Sequence, residues 1–462
     1  MDNINQQQNN IERCYIKFEG GEADVFTANL NLAVGQFSSC TVQISEASPV
    51  FPNIDTMCAL IIKLDGKLHY LFNGYIISDV QSVSTATTHI EGYRQYTIAI
   101  LTESLDSTPP VAWTYLSNAV NTENGAVQGY VLVGNNIETN KSSALAKTAL
   151  NTNIAEIIVD TVNQLQGTIR SSSISSLFTY DSTVLNMQGT HELSYYITEK
   201  ATNLLKGGAT YIQTIETLCN EFLLTLIPKL PSTGGYFKMH ITYKPAWGRK
   251  PVTTIKLSDY LSILSTNVSI KNRQIDGIIM PYWDTRGSSV TNLGLYAFYG
   301  RQRLNSGYDF VITDHKSLEK YFGQTTSSLR YKQISLPSWL GKGLAVSSLQ
   351  KAVKGYVKSY FSLYSYAQRK MSIDLPLVKF LDLTKYLGDL VSLQAFTEKV
   401  EGLDSGSTKT SNYYIGQLAG LSLHLNFIQS KLVVSCSANI SHVRPERTDR
   451  ILNFTASDLM YR

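Results

Sequence analysis

The sequence predicts a mainly β protein with an α+β insertion, on three observations. Apolar and polar residues alternate at both ends of the chain, which is the period of a half-buried strand. The middle of the chain instead carries apolar residues three and four positions apart, as on an amphipathic helix. Charged residues make up only 16% of the 462 residues, whereas tyrosine occurs 28 times. Because tyrosine suits pleated surfaces, this composition agrees with the strand pattern.

Residues 1–105 are expected to form one antiparallel β-barrel. Strands read from the alternation cover 26–34, 40–44, 59–64, 68–77 and 96–101. Asp65-Gly66 lies between two of them, and this pair accepts the positive φ angles of a two-residue hairpin turn. Several strands at short spacing, without a helical pattern between them, are typical of an antiparallel barrel or sandwich.

Residues 106–253 are expected to be an inserted α+β subdomain. Apolar residues at helical spacing occupy 154–165, with Asn153 and Glu156 at the spacing of a capping box. Thr210 and Gln213 open a second helix in the same way, and its apolar stripe includes Ile215 and Cys219. Alternation returns at 236–243, which predicts a strand.

Residues 254–462 are expected to form a second barrel with a helical insertion at about 314–373. Barrel strands are predicted within 254–300 and 375–445, where 421–427 and 434–440 form a hairpin around 429–431. A long amphipathic helix is predicted at about 345–370. Its apolar seam comprises Leu349, Val353, Tyr356, Tyr360, Leu363 and Ala367. Since both ends of the chain are β-rich, we expect the two barrels to be related.

The sequence offers no catalytic, cofactor or metal site, and we predict that the protein is not an enzyme. Its seven histidines have no ligand spacing, and its five cysteines contain no CxxC pair. Nucleophile-elbow and nucleotide-binding fingerprints are missing as well. We expect reduced thiols in a protein made in a cytoplasm. Residues 1–10 are polar and no run reaches about 18 apolar residues, so neither a secretory signal nor stable membrane insertion is expected.

One basic region is a candidate for a partner interface. The net charge of +4 is small for a general nucleic-acid binder, yet residues 320–373 contain nine Lys or Arg and no acid. Within the predicted long helix, Lys351, Lys354 and Lys358 are expected to face an acidic neighbour. A solvated helix face is the alternative interpretation, and contact with nucleic acid is a further one.

Three segments resemble phage tail hub proteins. Phe72-Asn-Gly74-Tyr-Ile76 resembles the first tube-like barrel of these hubs, where a Phe-x-Gly-x-Ile pattern is common. The segment 207–222, followed by Leu226 and Pro228, resembles their small α+β insertion. Residues 387–391 and the strand that leads into 441–444 resemble the end of their second barrel. Residues 106–153 have no counterpart in this resemblance.

The resemblance implies a structural virion protein of the tail or baseplate, made in the bacterial host cytoplasm. It would be a homotrimer whose two tube-like barrels per chain imitate the sixfold ring of the tail tube. Its partners would be the tail tube protein, a central spike or tip protein, other baseplate proteins and the tape measure protein. DNA would pass through only in transit, during genome ejection.

Two other functions stay open at the level of the sequence. The four tryptophans lie in or beside predicted loops, and exposed loop aromatics can anchor a ligand. They are Trp113, Trp247, Trp283 and Trp339. A carbohydrate- or receptor-binding tail module is therefore the first alternative, and a glycan-cleaving baseplate enzyme is the second.

Overall fold

Strands dominate the computed structural model of the chain, so the predicted mainly β class is confirmed. The structure describes residues 11–84, 91–100, 119–121, 126–128, 130–133, 136–139, 178–180, 213, 215, 216, 219, 220, 223–229, 238–243, 250–267, 275, 277–282, 295–301, 308–314, 316, 317, 331–335, 350, 353–358, 360, 361, 369–396, 411–428 and 431–445. A single large hydrophobic cluster runs through both ends of the chain and the segments between them.

The N-terminal unit is a closed barrel of six antiparallel strands. They are β1 (Ile11–Phe18), β2 (Gly21–Ala33), β3 (Ser39–Ser45), β4 (Met57–Leu64), β5 (Lys67–Ser84) and β6 (Glu91–Ala99). Their order is β1-β4-β5-β6-β3-β2, and β1 also pairs with β2, which closes the barrel. Closure pairs the strands around the barrel and so removes most exposed edges, but β5 beyond Ile76 extends past β4 and pairs only with β6 in the described residues. The predicted first barrel is confirmed, with all six strands inside 1–105.

Local details of this barrel follow the sequence, with one correction. Asp65 and Gly66 have φ angles of 47° and 75°, and they form the predicted two-residue turn between β4 and β5. In an unbroken strand over the predicted range 26–34, Phe26 and Ala28 would share one face. A bulge between Val25 and Thr27 shifts the register instead, so Val25 is buried and Phe26 is half-buried.

The middle of the chain contributes a small sheet that packs on the barrels. This part of the chain contains β7 (Ala119–Asn121) paired with β8 (Ala126–Gln128), β9 (Tyr130–Val133) paired with β10 (Asn136–Thr139), and then β11 (Phe178–Tyr180), β12 (Leu224–Lys229) and β13 (Lys238–Tyr243). The last three form one sheet in the order β11-β13-β12. Residues Gln213, Ile215, Glu216, Cys219 and Asn220 are helical, and Ile215 and Cys219 are buried as predicted. The helix predicted at 154–165 lies outside the described residues.

In the described residues of the C-terminal part, ten strands and one short helix have defined bounds. These are β14 (Thr253–Ile255), β15 (Ser262–Asn267), β16 (Gly277–Tyr282), β17 (Leu295–Arg301), β18 (Tyr308–Asp314), β19 (Tyr331–Gln333), β20 (Arg369–Leu375), α1 (Leu377–Leu383), β21 (Leu390–Phe396), β22 (Ser411–Ile428) and β23 (Lys431–Pro445). Six of the strands make the second unit, in the order β14-β21-β22-β23-β20-β15. The predicted hairpin is confirmed, since Ile428 pairs with Lys431 across the turn.

The segment between β15 and β20 differs from the prediction. We expected residues up to about 300 to belong to the second barrel, but β16, β17, β18 and β19 form a separate four-stranded sheet. These strands find each other because β16, β17 and β18 pair locally as antiparallel neighbours. The insertion at about 314–373 is therefore not purely helical.

The long amphipathic helix packs on this separate sheet. Residues 353–358 are helical, and Val353 and Val357 are buried. The ring of Phe361 meets Tyr299 of β17 edge to face, with the ring centroids 5.3 Å apart. Of the predicted seam, Val353 and Tyr356 are buried and Tyr360 is half-buried, which confirms it in these residues, and the helix packs on the four-stranded sheet. The helix ends before Arg369, where β20 begins, and not at 370.

Candidate assembly interface

The two barrels share one continuous sheet. Strand β2 pairs with β22 in antiparallel register, from Thr27 opposite Asn426 to Ala33 opposite Gly420. Inside this barrel junction Leu30 faces Leu423, and both are almost fully buried. Apolar burial is the main favourable term at such a contact, so the barrels are joined by a core as well as by backbone hydrogen bonds.

The outer side of the shared sheet is a face of small neutral side chains, which we call the polar face. It consists of Thr27, Asn29, Asn31, Ser39, Thr41, Gln43, Ser422, His424, Asn426, Ser435, Ser437 and Asn439. The residues between them point into the barrels and are buried. His424 is the only ionisable member of this set. The adjacent strand β20 adds Ser372 between two charged residues, Lys370 and Asp374.

Side chains of the polar face bond to one another across strands. Thr27 Oγ1 donates to Gln43 Oε1 at 2.6 Å, and Gln43 Nε2 donates to Gln95 Oε1 at 3.1 Å. Across the barrel junction, Ser422 Oγ donates to Asn31 Oδ1 at 3.1 Å. His424 Nδ1 lies against Asn29 Oδ1.

Strand β12 of the middle insertion contacts both barrels beside the junction. Gly35, in the turn after β2, donates its backbone N–H to Leu226 O at 2.7 Å. On the other side, Lys229 Nζ donates to Leu387 O at 3.4 Å. Burial lowers the pKa of Lys229, an effect that the nearby Asp389 charge partly opposes. The insertion is therefore fixed to both barrels at once.

The two barrels repeat one strand order. Replacing β1, β4, β5, β6, β3 and β2 by β14, β21, β22, β23, β20 and β15 converts the first order into the second. One difference is that β1 is antiparallel to β4, whereas β14 is parallel to β21. The two barrels share no recognisable sequence repeat, because alternation constrains only the polarity of each position and most side-chain identities differ. The glycines at matching places, Gly74 and Gly416, are the sequence feature that could have indicated the relationship.

Of the three predicted interface lysines, Lys354 and Lys358 lie in the helical residues 353–358, which pack on the four-stranded sheet. Lys354 is exposed, whereas Lys358 is half-buried with Nζ 5.6 Å from the centroid of the Tyr299 ring. Lys351 is outside the described residues. Lys332 of β19 makes a similar contact, with Nζ 5.9 Å from the centroid of Tyr360, and burial lowers its pKa.

The described residues contain no group of three or more His, Cys, Asp or Glu that could hold a metal ion. All five cysteines are buried and unbridged. Burial raises the pKa of the Cys14, Cys58 and Cys436 thiols to about 12, so these thiols are unreactive at neutral pH. In the described part of the chain, no helix has both the length and the apolar character needed to cross a membrane. The four tryptophans lie outside the described residues.

Three of the solved structures similar to this chain are tail proteins. The tail protein from Neisseria meningitidis MC58 is 11% identical, with 93% of this chain and 96% of that protein aligned at a TM-score of 0.48. The 43 kDa tail protein of prophage MuSo2 from Shewanella oneidensis is 11% identical, with 92% of this chain and 97% of that protein aligned at a TM-score of 0.44. A prophage tail protein from Listeria monocytogenes EGD-e is 9% identical, with 93% of this chain and 94% of that protein aligned at a TM-score of 0.42. No family model and no curated protein matches the chain.

Proposed function

We propose that the protein is a structural subunit of a phage tail, a baseplate or tail-tip hub that assembles as a homotrimeric ring. The barrel junction is the observation that supports this most directly. It joins two units of the same strand order head to tail, through β2 of one unit and the β5-like strand of the other. A head-to-tail contact that repeats generates a closed ring if its rotation closes. Three chains would supply six units, the number in the tail tube ring that the resemblance implies.

The polar face suits the wall of a channel. It continues across both barrels, and its neutral side chains already bond to one another. Binding to a polyanion needs Lys or Arg on the contact surface, which the twelve residues of this face lack. DNA in transit and the tape measure protein would therefore find little to bind on this wall.

The remaining parts of the chain are proposed to make contacts outside the ring. The ring would join the tail tube protein to a central spike or tip protein in the virion, next to other baseplate proteins. The proposed domains are residues 1–105, 106–253 and 254–462. Lys351, Lys354 and Lys358 stay our candidates for contact with an acidic neighbour, with Lys354 the most accessible of the described pair.

The oligomeric state tests the proposal. Native mass spectrometry should give three times the 51.4 kDa of one chain, and negative-stain images should show a ring with a central opening. A stable closed dimer or tetramer would contradict the proposal.

We also propose that the protein has no enzymatic activity of its own. In the described residues, no group of three or more His, Cys, Asp or Glu could hold a catalytic metal ion, and the cysteine thiols are buried away from any substrate. Incubation with peptidoglycan and with surface polysaccharide should release no soluble sugar or peptide. Release that survives repurification would overturn this part of the proposal.

A further inference from the structure

We infer that β5 of one protomer pairs with β15 of the next in a defined antiparallel register. In this register Ser84 lies opposite Ser265, Val83 opposite Thr266 and Ser82 opposite Asn267. The inference rests on the proposed trimer and adds the residues that join its subunits. It follows from treating the barrel junction inside the chain as a copy of the junction between chains.

The first step is the correspondence between β5 and β22. Gly74 and Gly416 occupy matching places, because Gly74 pairs with Cys58 of β4 and Gly416 pairs with Val391 of β21. A Cβ on either glycine would crowd the neighbouring strand, 2.1 Å from Ala99 O in the first barrel and 3.0 Å from Ser441 O in the second. At both places the backbone of the next strand therefore leaves little room for a side chain, and the approach is closer in the first barrel.

Backbone hydrogen bonds two residues after these glycines support the same alignment of β5 with β22. Ile76 N–H donates to Thr56 O at 3.0 Å, and Ile76 O accepts from Asp55 N–H at 2.8 Å. Leu418 makes the same two bonds, from its N–H to Asp389 O at 3.0 Å and from Gly388 N–H to its O at 2.9 Å.

Backbone conformation and bulges match at this point as well. Asp55 and Gly388 both have positive φ, 62° and 88°. One residue is then bulged in each strand, after Ile76 and after Leu418. Counting on from these bulges, Ser82 corresponds to His424 and Ser84 to Asn426.

The second step is the correspondence between β2 and β15. A bulge lies between Val25 and Thr27 of β2, and another lies between Ile263 and Ser265 of β15. The partner strands agree, since buried isoleucines stand opposite the residue before each bulge. These are Ile44 in the first barrel and Ile373 in the second. Counting on from the bulges, Thr27 corresponds to Ser265 and Asn29 to Asn267.

The register between chains then follows from the one inside the chain. Thr27 pairs with Asn426 and Asn29 with His424, and their counterparts are the pairs Ser265 with Ser84 and Asn267 with Ser82. Both strand edges are available in the described part of the chain. There β15 pairs only with β20, and β5 beyond Ile76 pairs only with β6. Val80, on this stretch of β5, is 48% exposed.

A second copy of this chain is the occupant that fits these edges. Unpaired edges of this kind are templates for further strands, and natural proteins cover them. Each chain carries one unpaired edge on β5, which corresponds to β22, and one on β15, which corresponds to β2. The internal junction shows how two such edges pair, because there β2 pairs with β22. Repeating that junction between chains uses both edges and leaves none over in a closed ring.

Disulfide cross-linking of the full-length protein tests the register. Directly opposite residues in an antiparallel pair have Cβ atoms about 4.5–5.5 Å apart, close enough for a disulfide after a small adjustment. The double variant Ser82→Cys/Asn267→Cys should therefore yield covalent dimers and trimers under mild oxidation, which a reductant reverses. The five native cysteines are buried and should not contribute.

Three controls define the result. The single variants Ser82→Cys and Asn267→Cys should give no covalent trimer when oxidised alone. Ser82→Cys/Thr266→Cys moves one thiol by one residue, which turns it to the other side of the sheet, and should not cross-link. Native mass spectrometry of each unoxidised variant reports whether the trimer is present.

The outcomes separate the register from the proposed function. A trimer that cross-links through 82 and 267, and not through 82 and 266, supports the inference. A trimer that cross-links only in the shifted variant, or in neither, overturns the register and leaves the proposed function standing. A wild-type protein that forms a closed dimer or tetramer overturns the proposed function together with the register.

Discussion

Gly388 and Ile227 are packed so closely that position 388 has no room for a side chain. A Cβ atom on Gly388 would lie 2.3 Å from Ile227 Cδ1 and 2.7 Å from its Cγ1. The φ angle of Gly388 is +88°, which L side chains rarely adopt. Strand β12 of the middle insertion therefore rests directly on the backbone of the second barrel.

Gly388→Ala should destabilise the protein by about 2–4 kcal/mol, because backbone strain and overpacking both act there. Gly66→Ala is a matched control, since Gly66 has a φ of +75° and nothing within 4 Å of a Cβ. Its cost should be about 1 kcal/mol, from strain alone. Denaturant unfolding gives both free energies. Equal losses of unfolding free energy at positions 388 and 66 would contradict the close packing. In a background that already carries Ile227→Ala, Gly388→Ala should cost less unfolding free energy than it does in the wild type.

The barrel junction should depend on its inner side more than on its polar face. Leu423→Ala should cost about 2–5 kcal/mol, because it leaves a cavity next to Leu30. Asn29→Ala and His424→Ala lie in the neighbouring register position on the outer side, and each should cost about 1 kcal/mol or less. Thermal or denaturant unfolding of the three variants checks this order. If the outer variants cost more than Leu423→Ala, the hydrogen bonds hold the junction.

Stability should fall in alkaline solution because of the buried thiols. The pKa of Cys58 is about 12 in the folded protein, against an ordinary value of 9.0. The folded state therefore keeps a proton that the unfolded state loses, so the stabilisation is complete below pH 9 and is lost as the pH rises towards 12. At a pH of about 10.5 each such thiol should cost about 2 kcal/mol.

The slope of unfolding free energy against pH tests this. Cys58→Ala should have a shallower decline than the wild type between neutral and alkaline pH, whatever its stability at pH 7. Identical slopes would mean that the thiol ionises as readily in the folded protein as in the unfolded chain.

Charge reversal on the long helix should act on assembly and fold separately. Lys354→Glu changes an exposed residue and should leave unfolding unaffected while weakening association in a salt-dependent way. Lys358→Glu also removes the contact with Tyr299, so it should cost a further ~0.5–1 kcal/mol of stability. Sedimentation at low and high salt, with unfolding curves, separates the two effects. Unfolding caused by Lys354→Glu would show that this lysine is structural.

Period and turn chemistry made the strands predictable from the sequence. The turn at Asp65-Gly66 and the alternation around Leu421 and Leu423 report local geometry, and the structure has both as predicted. Which strands pair with one another was harder to predict from the sequence. Residues 277–282 alternate like a barrel strand, yet they pair with β17, because alternation states which face is buried and not which strand lies alongside.

The polar face was missed for a related reason. Asn29 and His424 are far apart in the sequence, and only the pairing of β2 with β22 brings them together. A two-residue period also gives no sign of a bulge. The bulge between Val25 and Thr27 is the reason that Phe26 does not lie on the buried side of β2 with Ala28. The helical stripe through Val353 and Tyr356 was predicted correctly, whereas Tyr299, which Phe361 of the same helix contacts, lies in a sheet that the sequence did not reveal.

The same place in the fold carries very different connections in the two barrels. Residues 34–38 join β2 to β3, whereas residues 268–368 join the corresponding strands β15 and β20. In a ring of three chains, every second unit would therefore bear the large addition and the others a tight turn. The inner wall could keep a period of six while the outer rim has a period of three. Such an object can seat a sixfold neighbour and a threefold one on the same axis.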